Sequence, residues 1–575
     1  MVKSRSLIIG GFLILFFDLV YNLLYKPISI DFYNLSFIIF GFCFILFGTA
    51  QEKIMRILGK IDKIFENKTY HILFIILTTS FLIRLFLLPE RWINPDEGAH
   101  LYDAKFVLDG KIPFVDYGSR MPVYVYILAA FLKIFGASFI SGRLLPLFSN
   151  IGIGIIVFLI GRKLFNNNKI ALLASAIYLF SPLSILWSVV VKTEQLETLF
   201  VTISMFLLIS FIKSKKENFN LVFISGIFFA LAYYVRESSI TIFIISILFV
   251  INYYGLRSAK MVKTSLIIVS GYFLVVFIII LCFSSFVGLD TVLESPLNPM
   301  DTIKDPLNKI IAVQDKIAND DNTGYIHQPY GRTMEEWIRV FKFDSFLLFG
   351  AVIFFVCYIV QNKENIMLSK LQFTFLGLWL FALAIFYLFY SIRTSFFTPY
   401  FGEFLPALAL VLAYVIVFLI SEMKKHDTLT RKIARISFIT IIAFYISSLS
   451  LINISFDNVY SPNTVNEISQ YIMSHSTKED VVLSGAMIWT LESNTRPFMN
   501  TTHPSGYLRR MGDDQIILID LEMENKKPRF IILDGYTEKI YLGKVNSIRN
   551  SLNESYILRK EEYGSRFPVK VYELK

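Results

Sequence analysis

Charge is scarce in this chain of 575 residues: Asp, Glu, Lys and Arg together supply only 17% of it. Cysteine is scarcer still, with three residues, Cys43, Cys282 and Cys357, each inside an apolar run. That leaves no disulfide framework and no thiolate metal cage to read from the sequence. There is no internal repeat and no low-complexity tract, so a solenoid or a disordered polar chain is excluded. What fills the chain instead is apolar: 55% hydrophobic and 16% aromatic residues, with a mean hydropathy of +0.58. A soluble core does not need that much apolar surface, and the composition is that of a polytopic membrane protein. The net charge of +10 then marks basic cytoplasmic loops rather than a nucleic-acid surface. Lys3 and Arg5 ahead of an apolar run imitate a secretory signal, but no small-residue cleavage site follows, so a retained first span is expected.

A bilayer-crossing helix needs about 20 mostly apolar residues. Such runs occur at 7–25, 35–50, 70–88, 143–161, 170–190, 195–212, 264–288, 344–360, 371–391, 398–421 and 433–453, and the stretch 221–254 divides at Arg236–Glu237 into two short helices, giving about 13 spans. The run 121–136 is too short to cross and carries Lys133. If it lies along the outer surface, the basic clusters 53–68, 162–169, 213–216, 257–263 and 424–432 all face inward, as the positive-inside rule demands. The expected protein is therefore mainly α-helical and multi-pass in the cytoplasmic membrane, with its N-terminus inside. It divides into two extra helices and a basic loop (1–69), a main transmembrane region (70–454) with outer loops 89–142 and 289–343, and an extracytoplasmic tail (455–575). The tail mixes helix-like text ("NTVNEISQYIMSH") with β-rich runs ("DVVLSG", "RFIILD", "FPVKVYEL") and reads as a small α/β domain.

The outer loops collect the scarce charge. "WINPDEGAHLYDAKF" begins a helix after Pro95, with Asp96, His100 and Asp103 on one face at i, i+4, i+7 spacing. "GKIPFVDYGSRMP" follows with Asp116 and Arg120; Arg143 opens the next span; Glu194, Arg236 and Arg393 sit at outer helix ends. The loop 289–343 adds "HQPYGRTMEEW". Each residue has a structural alternative. Asp96–Glu97 suits a helix N-terminus, Glu194 a cap, His100 an ordinary structural histidine, and Arg120 and Arg143 snorkelling to headgroups. Taken together, carboxylates and arginines on different helices where an apolar slot meets water suit a lipid-linked anionic substrate, with arginines for a phosphate and a carboxylate to take a proton.

The ordered segments "PDEGAHLYDAKFVLDGKIPFVDYGSRMP", "FGASFISGRLLP" and "SPLSILWSVVVKTEQLETLF" resemble the GT-C superfamily of membrane glycosyltransferases, nearest the protein O-mannosyltransferases and the lipid A aminoarabinose transferases. The resemblance covers roughly 70–240 well and 370–420 loosely, through "YFGEFLPALAL". It implies transfer of a sugar from a polyprenyl or dolichyl monophosphate to an acceptor protein, lipid or glycan at the outer face. By position it makes Asp96 the catalytic carboxylate, with Glu97 beside it. It makes Arg120, Arg143 and Arg236 donor-phosphate residues, with Arg393 nearby, and Glu194 the second acidic position. Asp116, His100 and Tyr400 are further acceptor-side or positioning candidates. The chain departs from the pattern in carrying His100 where relatives often have Tyr, Met121 for a proline, and no Arg directly before Tyr400. No WWD-type motif is present, which argues against an oligosaccharyltransferase.

The expected reaction inverts the sugar: the acceptor hydroxyl attacks the anomeric carbon, Asp96 either takes its proton or orients the acceptor while the proton leaves late, and the lipid phosphate leaves without a general acid. Arg120, Arg143 and Arg236 are expected to converge on the donor's phosphate. Asp96, Glu97 and His100 offer a divalent metal three candidate ligands, which an acidic, cysteine-free site does not require. The rival from another class is a transporter or flippase of lipid-linked sugars. It calls for inverted repeats and midplane charges, whereas here the charges sit at helix ends on one side. A scaffolding membrane protein gives no reason for the ordered acid and arginine set.

Overall fold

The computed structural model describes residues 38–49, 68–300, 329–360, 369–393, 397–424, 428–498, 502, 520–523, 525–535 and 538–575, with scattered residues before 54. The expected first span at 7–25 and residues 301–328 of the second outer loop thus lie largely outside the described residues, as do the side chains of Cys357 and Arg393. Cys43 and Cys282 are free thiols.

Helices run along the first four-fifths of the chain. α1 (Ile38–Thr49) precedes α2 (Thr69–Glu90), α3 (Pro95–Leu108), α4 (Pro122–Phe135), α5 (Phe139–Phe165), α6 (Asn168–Phe180), α7 (Pro182–Trp187), α8 (Glu194–Ile212), α9 (Phe219–Tyr233), α10 (Ser239–Tyr254), α11 (Ala259–Val287) and α12 (Leu289–Leu293). α13 (Pro329–Val360), α14 (Lys370–Arg393), a 3-10 turn at Thr398–Glu403, α15 (Leu405–Glu422) and α16 (Thr428–Leu449) complete the bundle. Among the described residues, seven helices are long and apolar enough to cross a membrane, and α1, α4, α6, α9 and α10 are shorter apolar helices.

Local chemistry explains where this differs from the hydropathy pattern. The run 170–190 is two helices, because Pro182 holds Ser181 extended (φ −61°, ψ 133°) and ends α6 at Phe180. The run beginning at 398 opens as a 3-10 turn around Pro399 before α15. α13 starts well before 344 and bends at Asp344 (φ −128°), whose buried carboxylate accepts the Ser181 hydroxyl at 2.8 Å. α9 and α11 touch backbone to backbone: a Cβ on Gly226 would lie 2.1 Å from the Ile268 carbonyl, and one on Gly271 2.2 Å from that of Phe223. Only small residues permit that approach between membrane helices.

α4 is one of the shorter apolar helices. It buries Tyr124, Val125, Leu128, Ala129 and Leu132 against α3, and the Val123 N–H donates to the Tyr234 carbonyl at 3.1 Å. The C-terminal domain holds α17 (Pro462–Ser474), α18 (Ile488–Glu492), α19 (Glu538–Lys544) and α20 (Asn546–Ser555) around a five-stranded sheet. Its strands β1 (Val481–Ser484), β2 (Arg496–Pro497), β3 (Phe530–Asp534), β4 (Tyr556–Glu562) and β5 (Val569–Leu574) lie in the order β2-β1-β3-β5-β4. β1 pairs in parallel with β2 and β3, and β5 runs antiparallel to β3 and β4. β3 (FIILD) is buried throughout, whereas β4 is an edge strand blunted by a bulge near Lys560. The three β-rich runs and the helix at 462–474 lie where the sequence puts them. β4, with Arg559, Lys560, Glu561 and Glu562, carries no hydrophobic strand signature.

One apolar core joins this domain to the first outer loop. Ile93, Leu101, Tyr124 and Leu128 pack in the same cluster as Val465, Ile468, Trp489 and Ile532. Burying a side chain of that size contributes about 1.5–3 kcal/mol, so α3 is fixed between bundle and sheet rather than hung on a loop.

Candidate active site

α3 begins where Pro95 presets a helical φ and Asn94 caps the end: the Asn94 side chain accepts the Asp96 N–H at 3.1 Å, and Glu97 reaches back to the Asn94 N–H at 2.9 Å. The two neighbouring carboxylates point to different surroundings. Glu97 is fully buried. It accepts four hydrogen bonds, from the Asn94 and Val191 N–H groups and from Arg143 Nε and an Arg143 terminal nitrogen, the last two at 2.8 Å each. Arg143 also donates to the carbonyls of Leu88, Arg91 and Trp92, so all five of its N–H groups are satisfied within the chain. Two expectations change here. Arg143 has no donor left for a phosphate, and Glu97 has neither oxygen turned to a substrate. Together they form a buried fork that joins α3 to α5.

Asp96 faces outward. Its side chain keeps 45% of its exposure and meets Lys192 Nζ at 2.7 Å. Lys192, 14% exposed, stands 5.9 Å from the centroid of the Trp187 ring. Burial opposes its charge, but Asp96, Glu194 and Asp457 around it raise its pKa above the ordinary lysine value.

A second cluster forms at the ends of α8, α9 and the 3-10 turn. Arg236 pairs with Glu194 at 3.0 Å and Glu403 at 2.9 Å, and lies 4.1 Å over the Tyr400 ring. Tyr400 stacks on Tyr387, whose hydroxyl donates to Glu403. Ser238 donates to Glu197 at 2.7 Å, beside Glu403. Arg236, Glu194 and Tyr400 therefore do come together from distant parts of the sequence, but Arg143 and Arg236 each have their own carboxylate partners and do not share one anion.

The remaining candidates are more local. Asp116 accepts the Ile112 N–H at 2.6 Å within its own turn. His100 packs edge-on against Tyr124, with centroids 5.3 Å apart. Asp103 is 1% exposed; burial lifts its carboxyl to about 7, and Arg120 and Thr502 beside it oppose that rise. Among the described residues no three His, Cys, Asp or Glu side chains converge to hold a metal, and both oxygens of Glu97 are bonded to Arg143. The sequence does not single out Lys192, Glu403, Glu197, Arg339 or Asp457. Lys192 reads as one cation in a short turn and Glu403 as one letter of "YFGEFLPALAL"; only folding shows what each one meets.

The C-terminal domain reaches this site directly. Ile93 and Tyr460 exchange backbone hydrogen bonds at 2.7 and 3.1 Å, Asn94 donates to the Asn458 side chain at 3.2 Å, and Tyr102 donates to the Thr495 carbonyl at 3.3 Å. Gly98 lies flat on α18, where a Cβ would fall 2.3 Å from the Ile488 nitrogen. Glu492 accepts the Phe139 N–H that opens α5 at 2.7 Å, and burial lifts its carboxyl to about 7.

Residues 119–286 match the family model of dolichyl-phosphate-mannose-protein mannosyltransferases, a segment that takes in Arg120, Arg143, Glu194 and Arg236 and begins after Asp96. No curated protein matches the sequence. Among solved structures, apo ArnT from Cupriavidus metallidurans superposes with a TM-score of 0.54 at 11% identity, over 86% of this chain and 97% of that one. ArnT bound to undecaprenyl phosphate gives 0.52 at 12%, over 86% and 97%. The oligosaccharyltransferase AglB from Archaeoglobus fulgidus, in complex with an inhibitory peptide and a dolichol-phosphate, gives 0.53 at 14%, over 87% and 74%. The chain has the fold of the GT-C membrane glycosyltransferases, and resembles the mannosyltransferases and ArnT among them.

Proposed function

We propose that this protein is an inverting glycosyltransferase that moves a hexosyl or pentosyl group from a polyprenyl- or dolichyl-phosphate carrier to the hydroxyl of an acceptor protein, lipid or glycan. The observation that carries the proposal is Asp96: a half-exposed carboxylate on a firmly held helix, at the end of the bundle where the charged residues gather. The match at 119–286 and the carrier lipids bound by the similar structures support the donor class. The acceptor oxygen attacks the anomeric carbon, the bond from that carbon to the phosphate oxygen breaks, and the hydroxyl proton passes to Asp96. The lipid phosphate leaves as a monoester, so no acid need protonate it; cations stabilise its growing charge. Glu97 and Arg143 position α3 and do not touch substrate. Arg236, Glu194, Glu403 and Tyr400 form a second positioning layer under the site.

The Asp96 end of the bundle is taken as extracytoplasmic and the N-terminus as cytoplasmic. The opposite helix ends carry Arg162, Lys163, Lys213, Lys215, Lys216, Arg257, Lys260 and Lys263, the expected cytoplasmic bias. The C-terminal domain then roofs the site from outside. The test is transfer by purified full-length protein from labelled polyprenyl-phosphate sugars to candidate acceptors. Consumption of such a donor, lost in Asp96→Asn, is the expected result. No consumption of any lipid-phosphate sugar overturns the proposal.

A further inference from the structure

The end of the bundle away from Asp96 carries a cavity that the chemistry above does not use. It lies between α10 and α14, has a volume of about 190 Å³, and is lined by Phe249, Asn252, Tyr253, Lys370, Leu371 and Thr374. The buried Phe249 ring, edge-on to Phe375 with centroids 5.3 Å apart, gives it an apolar wall. Asn252, Tyr253 and Lys370 stand at its exposed mouth. An amide, two hydroxyls and an ammonium therefore meet in one recess, and no acid is among the lining residues.

Charge, size and surroundings together select a ligand. Lys260, on the same side of the bundle, is paired with Glu217 at 2.5 Å, and Lys263 lies 4.2 Å from the centroid of the Phe219 ring. Among the described residues Lys370 has neither kind of partner. It also opens α14, where Ser369 and Gln372 cap each other reciprocally, with N–H to side-chain oxygen distances of 2.9 and 3.3 Å. The positive end of the helix macrodipole thus adds to the lysine's charge, and both favour an anion. The volume falls below the ~300 Å³ of a pocket that encloses a whole small ligand, so the recess suits a headgroup whose remainder stays outside. An apolar track leads away from it along both helices. Ile244 and Leu248, one and two turns back from Asn252, are exposed on α10. On α14, Lys370, Thr374, Gly377 and Phe381 follow at i, i+4, i+7 and i+11; Phe381 is exposed, and a Cβ on Gly377 would meet nothing within 4 Å.

We propose that this cavity binds the phosphate headgroup of an anionic phospholipid in the cytoplasmic leaflet, with the acyl chains lying along the track between α10 and α14. The leaflet follows from the sidedness taken above; the binding chemistry does not depend on it. α10 begins directly after Ser238, and α14 carries Tyr387, both of which bond to carboxylates of the Arg236 cluster. A lipid seated between the inner ends of these two helices therefore braces the pair that holds that cluster at their outer ends.

The test is lipid retention by the full chain in detergent, read by native mass spectrometry. The probes are dioleoyl phosphatidylglycerol and dioleoyl phosphatidylcholine, which share their chains and differ in headgroup charge, with inorganic phosphate as competitor. Wild type should hold the phosphatidylglycerol about fivefold more tightly than the phosphatidylcholine, the effect of one lysine near a membrane surface. Lys370→Ala should lose that preference and Lys370→Arg should keep it; Lys370 is exposed, so both variants fold. Lys263→Ala removes a neighbouring cation outside the cavity and should leave the preference intact. Equal affinity for the two lipids in wild type, or equal losses in Lys263→Ala and Lys370→Ala, overturns the inference. Displacement of the phosphatidylglycerol by an equal concentration of inorganic phosphate overturns it too, since the site would then take free phosphate. No sugar donor enters the experiment, so a failure here leaves the transferase reading standing, and a failure of that reading leaves this site standing.

Discussion

Asp96 and Glu97 are adjacent carboxylates, and changing each to its amide should break different things. Glu97 is fully buried and accepts four hydrogen bonds, two of them from an Arg143 guanidinium that is itself fully buried. In Glu97→Gln the amide turns an NH2 toward groups that only donate, and Arg143 becomes an uncompensated buried charge. Removing one partner of such a pair costs about 3–5 kcal/mol, a large part of a typical stability of about 5–15 kcal/mol. Asp96 is 45% exposed, with the Lys192 contact as its ion pair, and a half-exposed pair is worth about 0–1 kcal/mol. Asp96→Asn should therefore melt close to wild type, yet lose about 100- to 10,000-fold in turnover if Asp96 takes the proton. Thermal unfolding in detergent and initial rates of sugar transfer, measured on the same preparations, separate the two effects. Wild-type stability in Glu97→Gln would refute the positioning fork; wild-type turnover in folded Asp96→Asn would return that residue to a helix start.

Arg236→Ala should strand Glu194 and Glu403 and cost about 3–5 kcal/mol, while Arg236→Lys recovers charge but not the planar stacking over Tyr400; equal melting of the two variants would argue against the stacking. Gly98→Ala puts a methyl 2.3 Å from the Ile488 nitrogen, a backbone atom that no rotamer change can move. It should loosen the C-terminal domain, read as faster proteolysis near α18 with the bundle intact, and an unchanged cleavage rate would count against the docking. Asp103 titrates near 7 in the fold against about 3.9 unfolded, so the native state holds the extra proton and unfolding free energy falls as pH rises from about 4 to about 7, then levels. Glu492, also near 7, adds the same sign. Asp103→Asn should flatten that slope between melts at about pH 5 and about pH 8, and an unaltered slope would show that the buried acid is not its source.

Much of the fold is legible because membrane spans are written in one dimension. A run of about 20 apolar residues carries its own reason to be a helix, and α2, α5, α8, α11 and α15 fall on such runs. The breaks are local too, once backbone chemistry is weighed beside hydropathy: Pro182 divides the run 170–190, and Pro399 delays the helix that hydropathy would start at 398. The start of α3 is equally readable, in a cap residue, a proline and an acid at the third position. β4 is not, since an edge strand can form from charged residues when its neighbour supplies the pairing.

The site is less legible because an ion pair belongs to two positions that sequence order does not relate. Arg143 looks like a phosphate ligand when it is merely an arginine at a helix end. It stops looking like one when Glu97 and three carbonyls are found to use all its donors. Lys192 looks like an isolated turn cation until Asp96 is found 2.7 Å from its Nζ. Exposure decides between scaffold and chemistry in both cases: Arg143 and Glu97 are sealed at 0%, while Lys192 and Asp96 keep 14% and 45%. A charged group that a substrate must reach has to leave part of itself unburied and unsaturated. By that criterion Asp96 with Lys192 is the pair a substrate can reach, and the more strongly bonded pair beside it, Glu97 with Arg143, is what joins α3 to α5.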